Sequence, residues 1–253
     1  MLRRRFQLLS FFLVLLSICQ GSSAQTTSSN IKNRVFFIGD STMATRNGYG
    51  DAVCEWLNGS AECLNLAKNG RSSKSFREEG LWMQALDQMK NNPNKLNQWV
   101  LIQFGHNDQP GKPGRSTDLT TEYPVNLENY VLETRAQGAI PVLVTPLIRR
   151  SFKVGQHQDD LAPWATAMKT VATKLNVTMI DLHSMSRQKV IDVGEEQADK
   201  YAETPKGTPK FDRTHLGPLG ACVFGSMVLN QLPVATKDAL SVTTDKNCEA
   251  SFR

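Results

Sequence analysis

The sequence predicts an α/β fold in which a parallel sheet is covered by helices on both faces. Short, wholly apolar runs rich in β-branched and aromatic residues recur, as in Val35-Phe36-Phe37-Ile38 and Trp99-Val100-Leu101-Ile102. Runs of this length and composition read as strands buried on both sides. Segments with helical spacing alternate with them, and strand alternating with helix implies crossover connections between parallel strands. The first run stops abruptly at Gly39-Asp40-Ser41, small polar residues at the end of the sheet where open α/β folds form their ligand crevice.

The first strand, 34–39, leads through Asn47-Gly48 into a helical segment over 50–57. A second strand is expected over 62–66, a helix over 76–90, a strand over 99–104 and a helix over 125–137. The fourth strand, 140–145, carries Pro141 near its start, where a missing N–H is tolerated. A helix over 161–175, a fifth strand over 178–182, a short helix near 184–193 and a last helix over 219–232 complete the pattern. Irregular stretches at 109–123, 146–160 and 203–211 are rich in Gly, Pro or charge. The first two follow strands and the third leads to Asp212, so all three are candidate substrate walls, with plain surface loops as the alternative.

The N-terminus reads as a leader. Arg3, Arg4 and Arg5 precede an apolar centre from Phe6 to Ile18, and Ser22-Ser23-Ala24 offers small residues for cleavage. This is the pattern of a secretory signal peptide over residues 1–24, and its apolar run is too short to span a bilayer comfortably. Residues 25–253 then form a single domain, expected to be a secreted monomer with no membrane segment. The whole chain has 29 basic and 24 acidic side chains; three basic ones leave with the leader, and 26 − 24 leaves a net charge of +2. No basic run interleaved with aromatics remains, which excludes the usual signature of a nucleic-acid partner.

Cys19 lies in the leader, leaving Cys54, Cys63, Cys222 and Cys248. An even count in a secreted chain suggests two disulfides among three pairings. Cys54–Cys63 and Cys222–Cys248 are favoured because each closes a local loop. Zinc binding is the competing reading, but no C-x-x-C spacing supports it. Asn58-Gly59-Ser60 and Asn176-Val177-Thr178 are glycosylation sequons.

Four blocks could carry acyl transfer. That reaction needs an activated hydroxyl, a base with an orienting group, and donors for the oxyanion. Ser41 is the candidate nucleophile, although a serine after a strand is also a common helix cap. His215 is the candidate base, with Asp212 three residues earlier placed to hold its Nδ1. Gly70, after the second strand, can bring a backbone N–H close to a developing charge, and the Asn107 amide can add another donor. His106, His157 and His183 lack the clustering of metal ligands, so no metal and no cofactor is expected.

In this order the blocks Gly39-Asp40-Ser41, Gly70, Gly105-His106-Asn107-Asp108 and Asp212-x-x-His215 resemble the SGNH (GDSL-type) hydrolases over roughly residues 34–232. The usual Gly-Asp-Ser-Leu stands here as Gly-Asp-Ser-Thr. The longer strings Gly39-Asp40-Ser41-Thr42-Met43-Ala44, Gly70-Arg71-Ser72-Ser73-Lys74-Ser75-Phe76 and Phe104-Gly105-His106-Asn107-Asp108 are similar to rhamnogalacturonan acetylesterases. The resemblance implies a three-layer, flavodoxin-like fold with a central five-stranded parallel sheet. It implies a Ser41–His215–Asp212 triad and an oxyanion hole made by the Ser41 and Gly70 N–H groups and the Asn107 side chain. The expected activity is secreted deacetylation of pectic rhamnogalacturonan in the plant cell wall. Another acetylated polysaccharide (xylan, homogalacturonan), a small acyl ester, or a silent carbohydrate-binding role stands as the alternative. Arg71, Arg149 and Arg150 are candidates to meet galacturonate carboxylates, since guanidinium pairs well with that group; solvated surface is the equal alternative.

Overall fold

The computed structural model describes residues 31–57, 59, 61–240, 242 and 248. The expected leader, 1–24, and the Asn58 sequon lie outside the described residues. The elements run β1 Asn33–Gly39, α1 Gly50–Leu57, β2 Glu62–Asn65, α2 Ser75–Glu78, α3 Leu81–Lys90, β3 Asn97–Gln103, α4 Glu122–Ala136 and β4 Ile140–Val144. They continue with β5 Phe152–Lys153, β6 Gln156–His157, α5 Ala162–Lys174, β7 Thr178–Ile180, α6 Leu182–Asp199, α7 Pro218–Gln231 and α8 Val234–Ala239.

The main sheet has five parallel strands in the order β2-β1-β3-β4-β7. This is the doubly wound, flavodoxin-like order expected, with helices on both faces. The period-two geometry of a strand sorts its side chains between two cores. Val35 and Phe37 of β1, Trp99 and Leu101 of β3, and Val142 and Val144 of β4 pack with α1, α6 and α7. Phe36 and Ile38, Val100 and Ile102, and Leu143 face the opposite layer of α3, α4 and α5. All seven residues of β1 are buried, which is why its central run Val35–Ile38 is apolar without alternation.

The structure differs from the sequence-based boundaries where local signals compete. The helix expected over 76–90 is two helices, because Gly80 takes a left-handed conformation (φ 76°) and the chain turns there. The short helix near 184–193 extends over Leu182–Asp199, interrupted at Gly194. The stretch 146–160 folds part of itself into the hairpin β5–β6, whose two-residue strands are too short for periodicity to reveal. Disulfides join Cys54 to Cys63 and Cys222 to Cys248. The first ties α1 to β2, and the second ties α7 to the C-terminal segment. Among the described residues, no helix is long and apolar enough to cross a membrane.

Candidate active site

The order of the sheet dictates where a site forms. β1 is flanked by β2 on one side and β3 on the other, and the chain leaves β1 and β3 toward opposite faces. A crevice opens beyond their carboxyl ends. Ser41 follows β1, Gly70 follows β2, and His106 and Asn107 follow β3.

The turn holding Ser41 is fixed from beneath by Asp40. Its Oδ1 accepts from the Thr42 N–H at 2.9 Å and from the Thr42 hydroxyl at 2.8 Å. The Thr42 hydroxyl accepts in turn from Gln103 Nε2 at 2.6 Å, and Tyr49 donates to Gln103 Oε1 at 2.7 Å. Threonine where the related motif has leucine therefore builds a buried polar chain joining the ends of β1 and β3. Asp40 Oδ2 lies 3.3 Å from His106 Nδ1, a close polar approach without the alignment of a hydrogen bond, and burial holds the His106 pKa below its ordinary value. Burial works to raise the Asp40 pKa, but His106 and the Thr42 hydrogen bonds outweigh it, and the carboxyl sits below its ordinary value. His106 is itself buried and lines the cavity.

Two further loops are locked together. Asp108 accepts from the Ser73 N–H at 3.0 Å, the Ser73 hydroxyl at 2.5 Å and the Thr117 hydroxyl at 3.2 Å. Burial dominates over these donors and pushes the Asp108 carboxyl up to about 7. Tyr130 donates to the Ser73 carbonyl at 3.0 Å, so the Gly70–Ser73 loop is held from α4 as well. Gly70 has φ 77°, which an L side chain rarely adopts. Asn107 Nδ2 donates to the Arg71 carbonyl at 3.1 Å. An amide has two N–H donors, so a second remains for a ligand.

The carboxylate and imidazole arrive from the far end of the chain. His215 Nδ1 is 2.9 Å from Asp212 Oδ2, while Asp212 Oδ1 accepts from the Thr214 and His215 N–H groups at 2.7 Å each. Burial raises the Asp212 pKa, but these bonds and the imidazole outweigh it and the net displacement is downward. The Leu216 N–H donates to the Asn47 carbonyl at 2.9 Å, fastening the histidine loop to the loop that carries Ser41. As a result Ser41, Gly70, Asn107, Asp212 and His215 line one cavity of about 680 Å³. That volume lies within the range of small-ligand sites. A hydroxyl, an imidazole held at Nδ1 by a carboxylate, and an amide with an N–H to spare thus line one cavity, and these are components acyl transfer requires. Among the described residues, no three His, Cys, Asp or Glu side chains group to hold a metal ion.

The three arginines expected to contact substrate part company. Arg71 and Arg149 line the cavity, but both are engaged. Arg71 pairs with Glu79 at 2.7 Å, and Arg149 pairs with Asp160 at 3.0 Å and donates to Gln109 Oε1 at 3.0 Å. Arg150 does not face the cavity, which corrects the expectation. It is 0% exposed, and its guanidinium donates to the carbonyls of Asp212 at 3.2 Å, Thr214 at 3.4 Å and His215 at 2.8 Å. Burying an arginine is tolerable when most of its donors are used, and here Nη1 and Nη2 brace the backbone under the histidine, while Nε has no hydrogen-bond partner among the described residues. Arg150→Met is expected to cost about 3 kcal/mol of folding stability, because three carbonyls lose a charged donor. Arg71→Met, whose side chain is 39% exposed, should cost less than about 1 kcal/mol. Chemical denaturation of the two variants checks the contrast, and equal losses would contradict this reading of Arg150.

Sequence reasoning passed over Lys112 and Arg115, which also line the cavity. Their signal was the placement of the 109–123 stretch after β3, without an indication of which side chains turn inward. Trp82 and Trp164 are buried in the core and do not offer a stacking face.

Residues 37–221 match the model of the GDSL-like lipase/acylhydrolase family. The chain is 33% identical over 203 residues to the probable rhamnogalacturonan acetylesterase YesY of Bacillus subtilis (strain 168), covering 78% of this chain and 90% of that protein. It is 30% identical over 225 residues to the rhamnogalacturonan acetylesterase RhgT of the same organism, covering 82% and 94%. The fold is similar to that of Axe2, an acetylxylan esterase from Geobacillus stearothermophilus. The TM-score is 0.60 at 17% identity, over 86% of this chain and 98% of that one.

Proposed function

Because the chain belongs to the GDSL-like lipase/acylhydrolase family, we propose that it is a secreted serine esterase that removes O-acetyl groups from pectic rhamnogalacturonan. The observation that carries the proposal is the Asp212–His215 contact of 2.9 Å within the cavity lined by Ser41, Gly70 and Asn107. Relatives bearing the rhamnogalacturonan acetylesterase name, aligned over most of their length, support the substrate. The two disulfides support an oxidising destination for residues 25–253, reached after removal of residues 1–24. Asn58 and Asn176 are candidate glycosylation sites there, and of the two Asn176 lies among the described residues, where it is exposed.

The reaction runs in two halves. Ser41 Oγ attacks the acetyl carbonyl carbon while His215 Nε2 takes its proton, and Asp212 holds the ring in the tautomer that leaves Nε2 free. The oxyanion is met by the Ser41 and Gly70 N–H groups and the second N–H of Asn107. Collapse breaks the bond to the sugar oxygen, which leaves with the proton from Nε2. Water, activated by the same nitrogen, then attacks the acetyl-serine and releases acetate. No step needs a metal or an organic cofactor.

The test is acetate release by the purified protein from acetylated rhamnogalacturonan and from acetylated xylan. A higher kcat/KM on the pectic substrate is expected. Preference for xylan would overturn the substrate while leaving the esterase mechanism in place.

A further inference from the structure

Four cations line the cavity: Arg71, Lys112, Arg115 and Arg149. Two are neutralised, Arg71 by Glu79 and Arg149 by Asp160. The other two have no carboxylate partner among the described residues. Lys112 Nζ donates to the His106 carbonyl, and Arg115 Nη1 donates to the Gly70 carbonyl at 3.3 Å. Both are half-buried and leave most of their donors unused. Their anchors are the backbone units of Gly70 itself and of the residue before Asn107, so the free charge is fastened beside the oxyanion donors.

The loop that carries them is preorganised. The Lys112 N–H donates to Ser116 Oγ at 2.9 Å, and the Arg115 and Ser116 N–H groups donate to the Lys112 carbonyl at 3.0 and 2.9 Å. Ser116 Oγ donates back to the Gln109 carbonyl at 2.9 Å. The Thr117 N–H closes the loop onto the Asp108 carbonyl at 2.9 Å. Partly desolvated like charges held in a fixed turn are unfavourable without a counter-ion. Burial, Arg149 and Arg115 lower the Lys112 pKa and outweigh the more distant pull of Asp40 and Asp160, and an arriving anion would counter that displacement.

We propose that Lys112 and Arg115 form the subsite that binds a uronate carboxylate of the polysaccharide backbone, setting the preference for an acidic over a neutral acetylated glycan. The inference rests on the pectic reading above for its substrate, and it moves the contact with galacturonate from Arg150 to these two residues. Arg115 presents a planar fork to the carboxylate and Lys112 a point charge. Both stand in a cavity whose walls exclude part of the screening water, where such pairs gain strength.

The test compares the full-length protein with Lys112→Gln/Arg115→Gln on two substrates. One is an acetylated rhamnogalacturonan oligosaccharide, and the other is the same oligosaccharide with its carboxyl groups reduced to alcohols. The ratio of kcat/KM, acidic over neutral, is expected to fall on the order of 10- to 100-fold, the range for losing hydrogen bonds to a charged group. The ratio should also lose its dependence on ionic strength. Arg115→Lys, which keeps the charge, should retain most of the ratio, separating a binding role from a bracing one. Equal losses on both substrates, or an unchanged ratio, would overturn the proposal. Binding is read separately by calorimetry on Ser41→Ala with a de-esterified rhamnogalacturonan oligosaccharide. Weaker binding after adding the two glutamine substitutions supports the subsite even if the active protein releases no acetate from pectin, in which case the pectic reading alone fails. Unchanged binding sinks the subsite whatever the substrate.

Discussion

Replacing Ser41 with alanine is expected to lower kcat for acetate release on the order of 10⁴- to 10⁶-fold, the scale seen when a triad nucleophile is removed. Stability should stay close to that of the unmodified protein. The physical reason for that separation lies in the turn. Asp40, Thr42 and Gln103 make its hydrogen bonds, and among the described residues none uses the Ser41 hydroxyl. The residue is 5% exposed, so loss of the hydroxyl removes one oxygen at the cavity wall and leaves the polar chain below intact. Whatever activity remains comes from binding and from the oxyanion donors. Acetate assays and thermal melting on the same preparation decide the matter. Near-full activity would remove Ser41 as nucleophile, and a collapsed melting temperature would show the hydroxyl to be structural.

The second large effect is expected at Asp212→Asn, a loss of about 10³- to 10⁴-fold in kcat. The amide can still accept at Oδ1 the two backbone bonds from Thr214 and His215 that shape the loop. At Oδ2, however, an NH₂ group replaces an acceptor 2.9 Å from His215 Nδ1. Two donors cannot face each other, so the ring adopts the tautomer with its proton on Nε2 and ceases to serve as a base. The same geometry fixes a pH expectation. The carboxyl of Asp212 lies below its ordinary value, so it remains ionised as the medium is acidified toward about pH 4. Loss of activity between about pH 7 and pH 5 in the unmodified protein therefore reflects another group. An Asp212→Asn protein that kept more than about a tenth of the unmodified kcat would contradict the orienting role.

Much of this could be read from residue order because the relevant forces are local. β1, β3 and β4 announce themselves as uninterrupted apolar runs, since burial on both faces leaves no room for polar alternation. The blocks around Ser41, Gly70 and Asn107 were legible because each follows a strand, and a doubly wound sheet delivers such loops to one rim, while Asp212 and His215 were legible from their own spacing just before the last large helix. Arg150 was misread for the opposite reason. An arginine in a loop looks solvated unless one knows that three carbonyls from residues 212–215 will close around it, a contact between distant parts of the chain. Lys112 and Arg115 stayed hidden for a related cause. Which cations remain uncompensated depends on where Glu79 and Asp160 fall in space, and those acids neutralise Arg71 and Arg149 rather than the loop after β3. Gly80 ended a helix whose spacing continued through it, a case of backbone conformation overriding side-chain periodicity.

The bond from the Leu216 N–H to the Asn47 carbonyl bears on how the molecule is made. During synthesis, the stretch carrying the hydroxyl leaves the ribosome long before the one carrying the imidazole, and the two are stitched together by this late backbone link. On the proposed mechanism, a nascent chain released before residue 215 has the segments of all the strands and lacks the base it needs. Turnover of an ester thus reports on completed maturation in a way that spectroscopic measures of secondary structure cannot.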